Sequence, residues 1–182
     1  MKRPPAETGA PIFLVGMMGS GKSTLGRLLA RELARPFVDL DERIEDRAGF
    51  SIPEIFARFG EPRFRDLESA ALAELRADRD LVVALGGGTP RRESNRAMLR
   101  AGGCVVYLRA QPETLVRRLP HPSSRPLLRR AEDPQQTIQE LLAEREPLYE
   151  EVADIVIDNE DDLATTLGRL TQALRSGGWI GP

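Results

Sequence analysis

Five short apolar runs punctuate the chain: residues 12–15 (IFLV), 36–40 (PFVDL), 81–85 (LVVAL), 104–108 (CVVYL) and 154–158 (DIVID). Most are continuous rather than alternating, which predicts strands covered on both faces, the pattern of a parallel sheet. Between them the apolar positions recur at helical spacing. Over residues 23–34, Leu25, Leu28, Leu29 and Leu33 share one face, and Pro36 blocks continuation. Residues 68–79, 92–100, 112–119, 134–144 and 162–174 carry the same pattern. Strands alternating with helices predict an α/β fold with a doubly wound sheet.

Two stretches break the rhythm. Residues 41–68 exceed a simple connection and hold Gly49, Pro53, Gly60 and Pro62; they read as an insertion. Residues 119–130 are a Pro/Ser/Arg loop without periodicity, and long loops such as these two are, in α/β enzymes, functional or disordered. The chain's 182 residues, insertions included, are enough for one domain spanning residues 1–182.

Composition narrows the classes. With 41% hydrophobic and 30% charged residues a core can form. The 26 basic and 28 acidic residues leave a net charge of -2, against the large basic excess of a nucleic-acid coat. A single cysteine, Cys104, excludes an internal disulfide framework and a multi-cysteine zinc site; on an apolar run it reads as core. No apolar run approaches the ~20 residues of a membrane span, and the first residues lack a secretory pattern and read as a frayed tail. A cytoplasmic monomer is expected, acting on small molecules, with neither nucleic acid nor membrane as partner.

Of the basic residues only Lys2 and Lys22 are lysines. Lys22 lies in Gly16-Met-Met-Gly-Ser-Gly-Lys-Ser23, which satisfies G-x-x-x-x-G-K-[ST] between a predicted strand and a predicted helix. Such a loop turns successive backbone N–H groups toward a phosphate, and the helix N-terminus adds partial positive charge. Lys22 supplies a compact charge for the β and γ phosphates, and Ser23 a hydroxyl for Mg²⁺. The loop residues Met18, Gly19, Ser20 and Gly21, with Thr24, complete the phosphate cradle. The chain is read as binding a nucleoside triphosphate, ATP.

The second run ends in Asp39-Leu-Asp41. Alternation along an extended strand end would place both carboxylates on one side, beside the phosphate loop, one for the Mg²⁺ shell and one for a substrate hydroxyl, as hydrogen-bond acceptor or as base. An acidic helix start, continued by Glu42 and Glu45, explains the same residues equally well. Further candidates are Arg65 in GEPRFRDLE, able to grip a carboxylate with two hydrogen bonds, and Gly86-Gly87-Gly88. RPLL with Arg125 lies in the 119–130 segment, and Arg145 stands in REPLY. Glu68 either orients Arg65 or faces solvent. Of the pair Arg117 and Arg118, Arg118 is the one read into the site. His121 is a poor candidate for a base, because phosphoryl transfer rests on positioning and charge.

The ordered set of P-loop, D-x-D, G-E-x-x-F-R-x-x-E, G-G-G, R-P-L-L and R-x-P-L-Y resembles the shikimate kinase family, over roughly residues 12–174. The resemblance implies a three-layer P-loop kinase fold: a five-stranded parallel sheet flanked by helices, with 41–68 as the substrate-binding insertion and 119–130 as a mobile lid. It implies transfer of the γ-phosphoryl of ATP to the 3-hydroxyl of shikimate. By position, Lys22 and Ser23 hold phosphates and Mg²⁺, with Asp39 in the metal's outer shell. Asp41 binds the shikimate hydroxyls. Arg65 and Arg145 hold the carboxylate, Gly87 contacts the substrate through its backbone, and Phe64 lines the pocket. Arg125 belongs to the lid over ATP, helped by Arg118. The resemblance departs at residues 158–162 (DNEDD), where the acidic loop leaves adenine to backbone atoms. Two other readings compete: a gluconate kinase of similar design, and a non-catalytic P-loop protein, which should have lost Lys22, Asp41 or a lid arginine.

Overall fold

Strand β1 (Ile12–Val15) is buried along its whole length, so both faces of its backbone need cover and both edges need partners. The computed structural model, which describes residues 9–119 and 133–181, supplies them. Parallel neighbours β3 (Val82–Ala84) and β4 (Cys104–Arg109) pair Ile12 with Val82 and with Cys104. With β2 (Phe37–Asp39) and β5 (Ile155–Asp158) at the edges, the sheet is five-stranded and fully parallel, in the order β2-β3-β1-β4-β5.

Alternation along β1 splits the core. Phe13 and Val15 pack under α2 (Leu40–Ala48), α3 (Ile52–Ala77), α4 (Glu93–Gly102) and α6 (Pro134–Val152). Ile12 and Leu14 pack under α1 (Lys22–Glu32) and α7 (Leu163–Ser176), where Cys104 is plain core. A third cluster joins Met17 to α5 (Pro112–Arg117) and α6. The helices leaving β1 and β3 lie on opposite faces of the sheet. Helices that leave neighbouring parallel strands on opposite faces leave a crevice at the strands' carboxyl ends.

The stretch 41–68 corrects the loop-like expectation. It folds as α2 and the first half of α3, and its breakers act as helix punctuation. Gly49 terminates α2 at φ 70°, Pro53 sits in the first turn of α3, and Ser51 with Glu54 forms a capping box. Gly60, at φ 78° and ψ 170°, interrupts α3, and Pro62 opens its second half. Helix α6 runs past the expected end at 144 to Val152, with Pro147 inside it. The 154–158 run pairs over Ile155–Asp158, and Leu40 belongs to α2 rather than to the second strand.

Candidate active site

The phosphate-loop sequence lies between β1 and α1 with the geometry its spacing demands. Gly16 adopts φ 145°, and a Cβ there would stand 2.6 Å from the carbonyl of Leu108, so the loop can approach β4 only without a side chain. Lys22 is the first residue of α1, and its Nζ donates to the carbonyls of Gly16 and Met17, 2.9 Å each. The ammonium therefore sits over the loop that would hold phosphates. Ser20 departs from expectation: it is fully buried, and its N–H turns onto the Met17 carbonyl at 3.1 Å. It supports the loop rather than presenting that donor to a phosphate.

Both aspartates reach the site, but not by strand alternation. Asp39 is the N-cap of α2, its Oδ1 accepting from the Asp41 N–H at 3.0 Å, and Asp41 lies in the first helical turn. The cap bends the chain at the strand end, so the helix-start and the site readings both hold. Ser23 Oγ donates to Asp39 Oδ2 at 2.6 Å, joining a hydroxyl and a carboxylate beside Lys22. Two hard oxygen donors suit Mg²⁺, which keeps waters and takes phosphate oxygens to complete its octahedron. The residues present fit that ion.

A cleft of about 920 Å³ runs from this loop to α3 and α6. Met18, Gly19, Gly21, Lys22, Ser23 and Thr24 line one end, with Arg118 and Asn159 beside them. Asp41, Phe64, Arg65, Arg145 and Gly86–Gly88 line the other. Thus the structure brings together every described residue of the sequence-based set except Ser20, which lies behind it. Arg125 and His121 lie outside the described residues, as does the 119–130 segment apart from Leu119.

The far end is built around two arginines. Arg65 Nη1 donates to Glu68 Oε2 at 2.9 Å, and Glu68, fully buried, also accepts the Thr89 hydroxyl at 2.7 Å. Glu68 therefore orients Arg65 and does not face solvent. Burial disfavours the charge on Arg65, but Glu68 and Glu61 outweigh it and hold the guanidinium's pKa above its ordinary value. Arg145 is 3% exposed, and among the described residues its Nε has no hydrogen-bond partner. A buried guanidinium N–H left unpaired at a cleft wall calls for an anionic or carbonyl acceptor. One turn on, the buried Tyr149 donates its hydroxyl to the Gly87 carbonyl at 2.5 Å, with its pKa pushed up to about 12 by burial. That bond aims the Gly87 peptide.

Sequence reasoning missed four contributors. Tyr149 and Glu61 stood in the quoted motifs without a role; Glu61 accepts from Arg65 Nε and Nη2, 3.1 Å each. Phe56 packs on Phe64 with ring centroids 4.8 Å apart. Asn159 is buried in the acidic loop. Its Nδ2 donates to the Ser20 carbonyl at 2.7 Å, its Oδ1 accepts from Thr166, and its carbonyl accepts from Arg118 Nη1 at 2.8 Å. Arg117 instead donates to Thr114. The carboxylates around Asn159 are engaged within the protein. Asp158 accepts from Arg109, Glu160 from Gln111 and Thr114, Asp161 from Arg169, and Asp162 caps α7.

A family model described as shikimate kinase matches residues 18–175. A curated shikimate kinase from Pseudomonas syringae pv. syringae (strain B728a) is 55% identical over 150 residues, 82% of this chain and 87% of that protein. Among solved structures, a shikimate kinase from Acinetobacter baumannii in complex with shikimate superposes with a TM-score of 0.89. It is 42% identical and covers 93% of this chain and 95% of its own. A gluconokinase from Sinorhizobium meliloti 1021 reaches only 0.55 at 22% identity, over 94% of this chain and 98% of its own, a likeness of fold alone.

Proposed function

The chain belongs to the shikimate kinase family, and from that membership we propose how its own residues divide the reaction. The reaction is ATP-dependent phosphorylation of the 3-hydroxyl of shikimate, giving shikimate 3-phosphate and ADP, a step of aromatic amino-acid biosynthesis. The observation that carries the division is the single cleft with a phosphate loop at one end and Asp41, Arg65 and Arg145 at the other. Arg65 and Arg145 grip the shikimate carboxylate, and the Gly87 peptide and Phe64 wall the ring. The 3-hydroxyl, two ring bonds from the carboxylate-bearing carbon, then points toward the P-loop.

Asp41 accepts a hydrogen bond from that hydroxyl and orients its lone pair on the γ-phosphorus. As the new P–O bond forms and the bond to the β–γ bridging oxygen breaks, the hydroxyl proton passes to Asp41 and ADP departs. Lys22, the P-loop amides and Arg118 face the charge that develops on the transferring group and its leaving oxygen. Ser23 and Asp39 would hold Mg²⁺, which when bound neutralises phosphate charge. On sequence alone, Arg125 is assigned to the lid, residues 119–130, as a further cation over ATP. The working form is taken to be a cytoplasmic monomer of one domain that engages neither nucleic acid nor membrane. Its balanced charge argues against a nucleic-acid partner. Among the described residues no helix is long and apolar enough to cross a membrane.

Asp41→Asn tests the division, in a coupled assay of ADP release with and without shikimate. Turnover should fall by about 100-fold or more, while the ATP dissociation constant stays within about twofold. Collapse of ATP affinity with shikimate binding intact would instead make Asp41 the metal ligand and reverse its role with Asp39.

A further inference from the structure

Arg65 already holds two carboxylates. Its Nη1 bonds Glu68, which is fully buried and pinned by Thr89. Its Nε and Nη2 both bond one oxygen of Glu61. Glu61 is a different kind of partner: its side chain is 48% exposed, and it follows the Gly60 break in α3. The same oxygen accepts a third donor, Nη1 of Arg91 at 3.1 Å. Arg91 Nε in turn bonds Glu144, the neighbour of Arg145 on α6, at 3.1 Å.

A guanidinium binds a carboxylate best through a pair of parallel N–H donors. Arg65 has two such edges within reach of the cleft, and both are covered. The Nη1/Nη2 edge abuts Gly88, where a Cβ would stand 2.6 and 2.8 Å from the two nitrogens. The Nε/Nη2 edge carries Glu61. One face of the guanidinium lies over the Phe64 ring, 5.0 Å from its centroid.

We propose that Glu61 is a placeholder for the substrate carboxylate: it occupies the Nε/Nη2 edge of Arg65 in the free enzyme, yields that edge when substrate arrives, and is retained by Arg91. This rests on the reading of Arg65 as a holder of the shikimate carboxylate. The exchange trades the single-oxygen contact of Glu61 for a two-oxygen contact on the same edge, so Arg65 stays aligned when the site is empty. It also makes the carboxylate a condition of entry, because a neutral ring polyol cannot displace Glu61. Arg91 sets the balance by giving the released carboxylate a second cation.

Calorimetric titration with shikimate, at saturating and at zero ATP analogue, tests this in E61Q, E61A, R91M, E61Q/R91M and R65M. E61Q and E61A should bind shikimate about two- to fivefold tighter, the scale of removing a half-exposed competing ion pair. R91M should bind it weaker by a similar factor, and R91M should have no further effect in the E61Q background. Affinity for the ATP analogue should be unchanged in all of them, and a shikimate analogue lacking the carboxylate should be indifferent to E61Q. Unchanged or weaker shikimate binding in both Glu61 variants overturns the placeholder. Unchanged binding in R65M overturns the carboxylate reading of Arg65 itself.

Discussion

A Cβ on residue 88 would have to share space with the Arg65 guanidinium, whose atoms are the three nearest it would meet. Gly88 sits at φ -98° and ψ -7°, a conformation alanine adopts freely, so its need for glycine comes from the close approach alone. The clashing atoms are the end of the Arg65 side chain, which Glu61 and the fully buried Glu68 hold in place. Gly88→Ala should therefore lower stability by straining the Arg65–Glu68 pair and push Arg65 out of register with Arg145. Losing one charge-assisted contact predicts a rise of about tenfold or more in the KM for shikimate. The KM for ATP should hold. Steady-state kinetics with each substrate varied in turn checks this, and equal loss toward both would show that the 86–88 turn serves the nucleotide instead.

At the scale of elements, Asn159 connects parts of the chain that share no local sequence signal. Through one side chain and one carbonyl it ties the P-loop at Ser20, the end of α5 at Arg118 and the first turn of α7 at Thr166. Asn159→Ala would leave the buried Ser20 carbonyl and Thr166 hydroxyl short of partners, a loss of about 1–3 kcal/mol. Beyond stability, the P-loop would lose its anchor. The expected result is a lower urea midpoint together with weaker binding of an ATP analogue, and shikimate affinity in the absence of nucleotide should be retained. Nucleotide binding as tight as in the parent protein would reduce Asn159 to a packing residue. The strands were legible because a doubly covered strand must be apolar throughout, and the P-loop because its chemistry is contiguous. Asn159 was not, since its partner Ser20 is 139 residues away. The same limit hid α2 and the first half of α3. Gly49, Pro53, Gly60 and Pro62 look like loop residues in a linear reading, and only tertiary cover of Leu40, Ile44 and Ile55 turns them into caps and a kink.

Across the whole molecule, several joints between elements depend on ionised carboxylates. The Ser51 hydroxyl and N–H hold Glu54 below its ordinary pKa at the start of α3, and Arg47 does the same for Glu74 between α2 and α3. Arg109 lowers Asp158 across β4 and β5, and the Thr165 hydroxyl lowers Asp162 at the cap of α7. In each case the folded pKa lies below the unfolded one, so the folded state binds fewer protons in acid than the unfolded chain does. Their contribution is complete above the unfolded values, about 3.9 for Asp and 4.3 for Glu, and is lost as pH falls through the folded ones. These groups are largely exposed and solvent-screened, so each adds little and the effect is cumulative. The urea midpoint should hence be flat from about pH 8 to 5.5 and decline progressively below about pH 4.5. Asp162→Asn keeps a capping oxygen but removes the charge, and should flatten the decline while costing little at pH 7. Salt at about 1 M should shrink the difference between pH 7 and pH 4 as well, because exposed pairs are screened at that strength. A midpoint that stayed constant down to pH 3 would mean that these carboxylates titrate alike in the folded and unfolded chains, and that the joints around the cleft are held by packing alone.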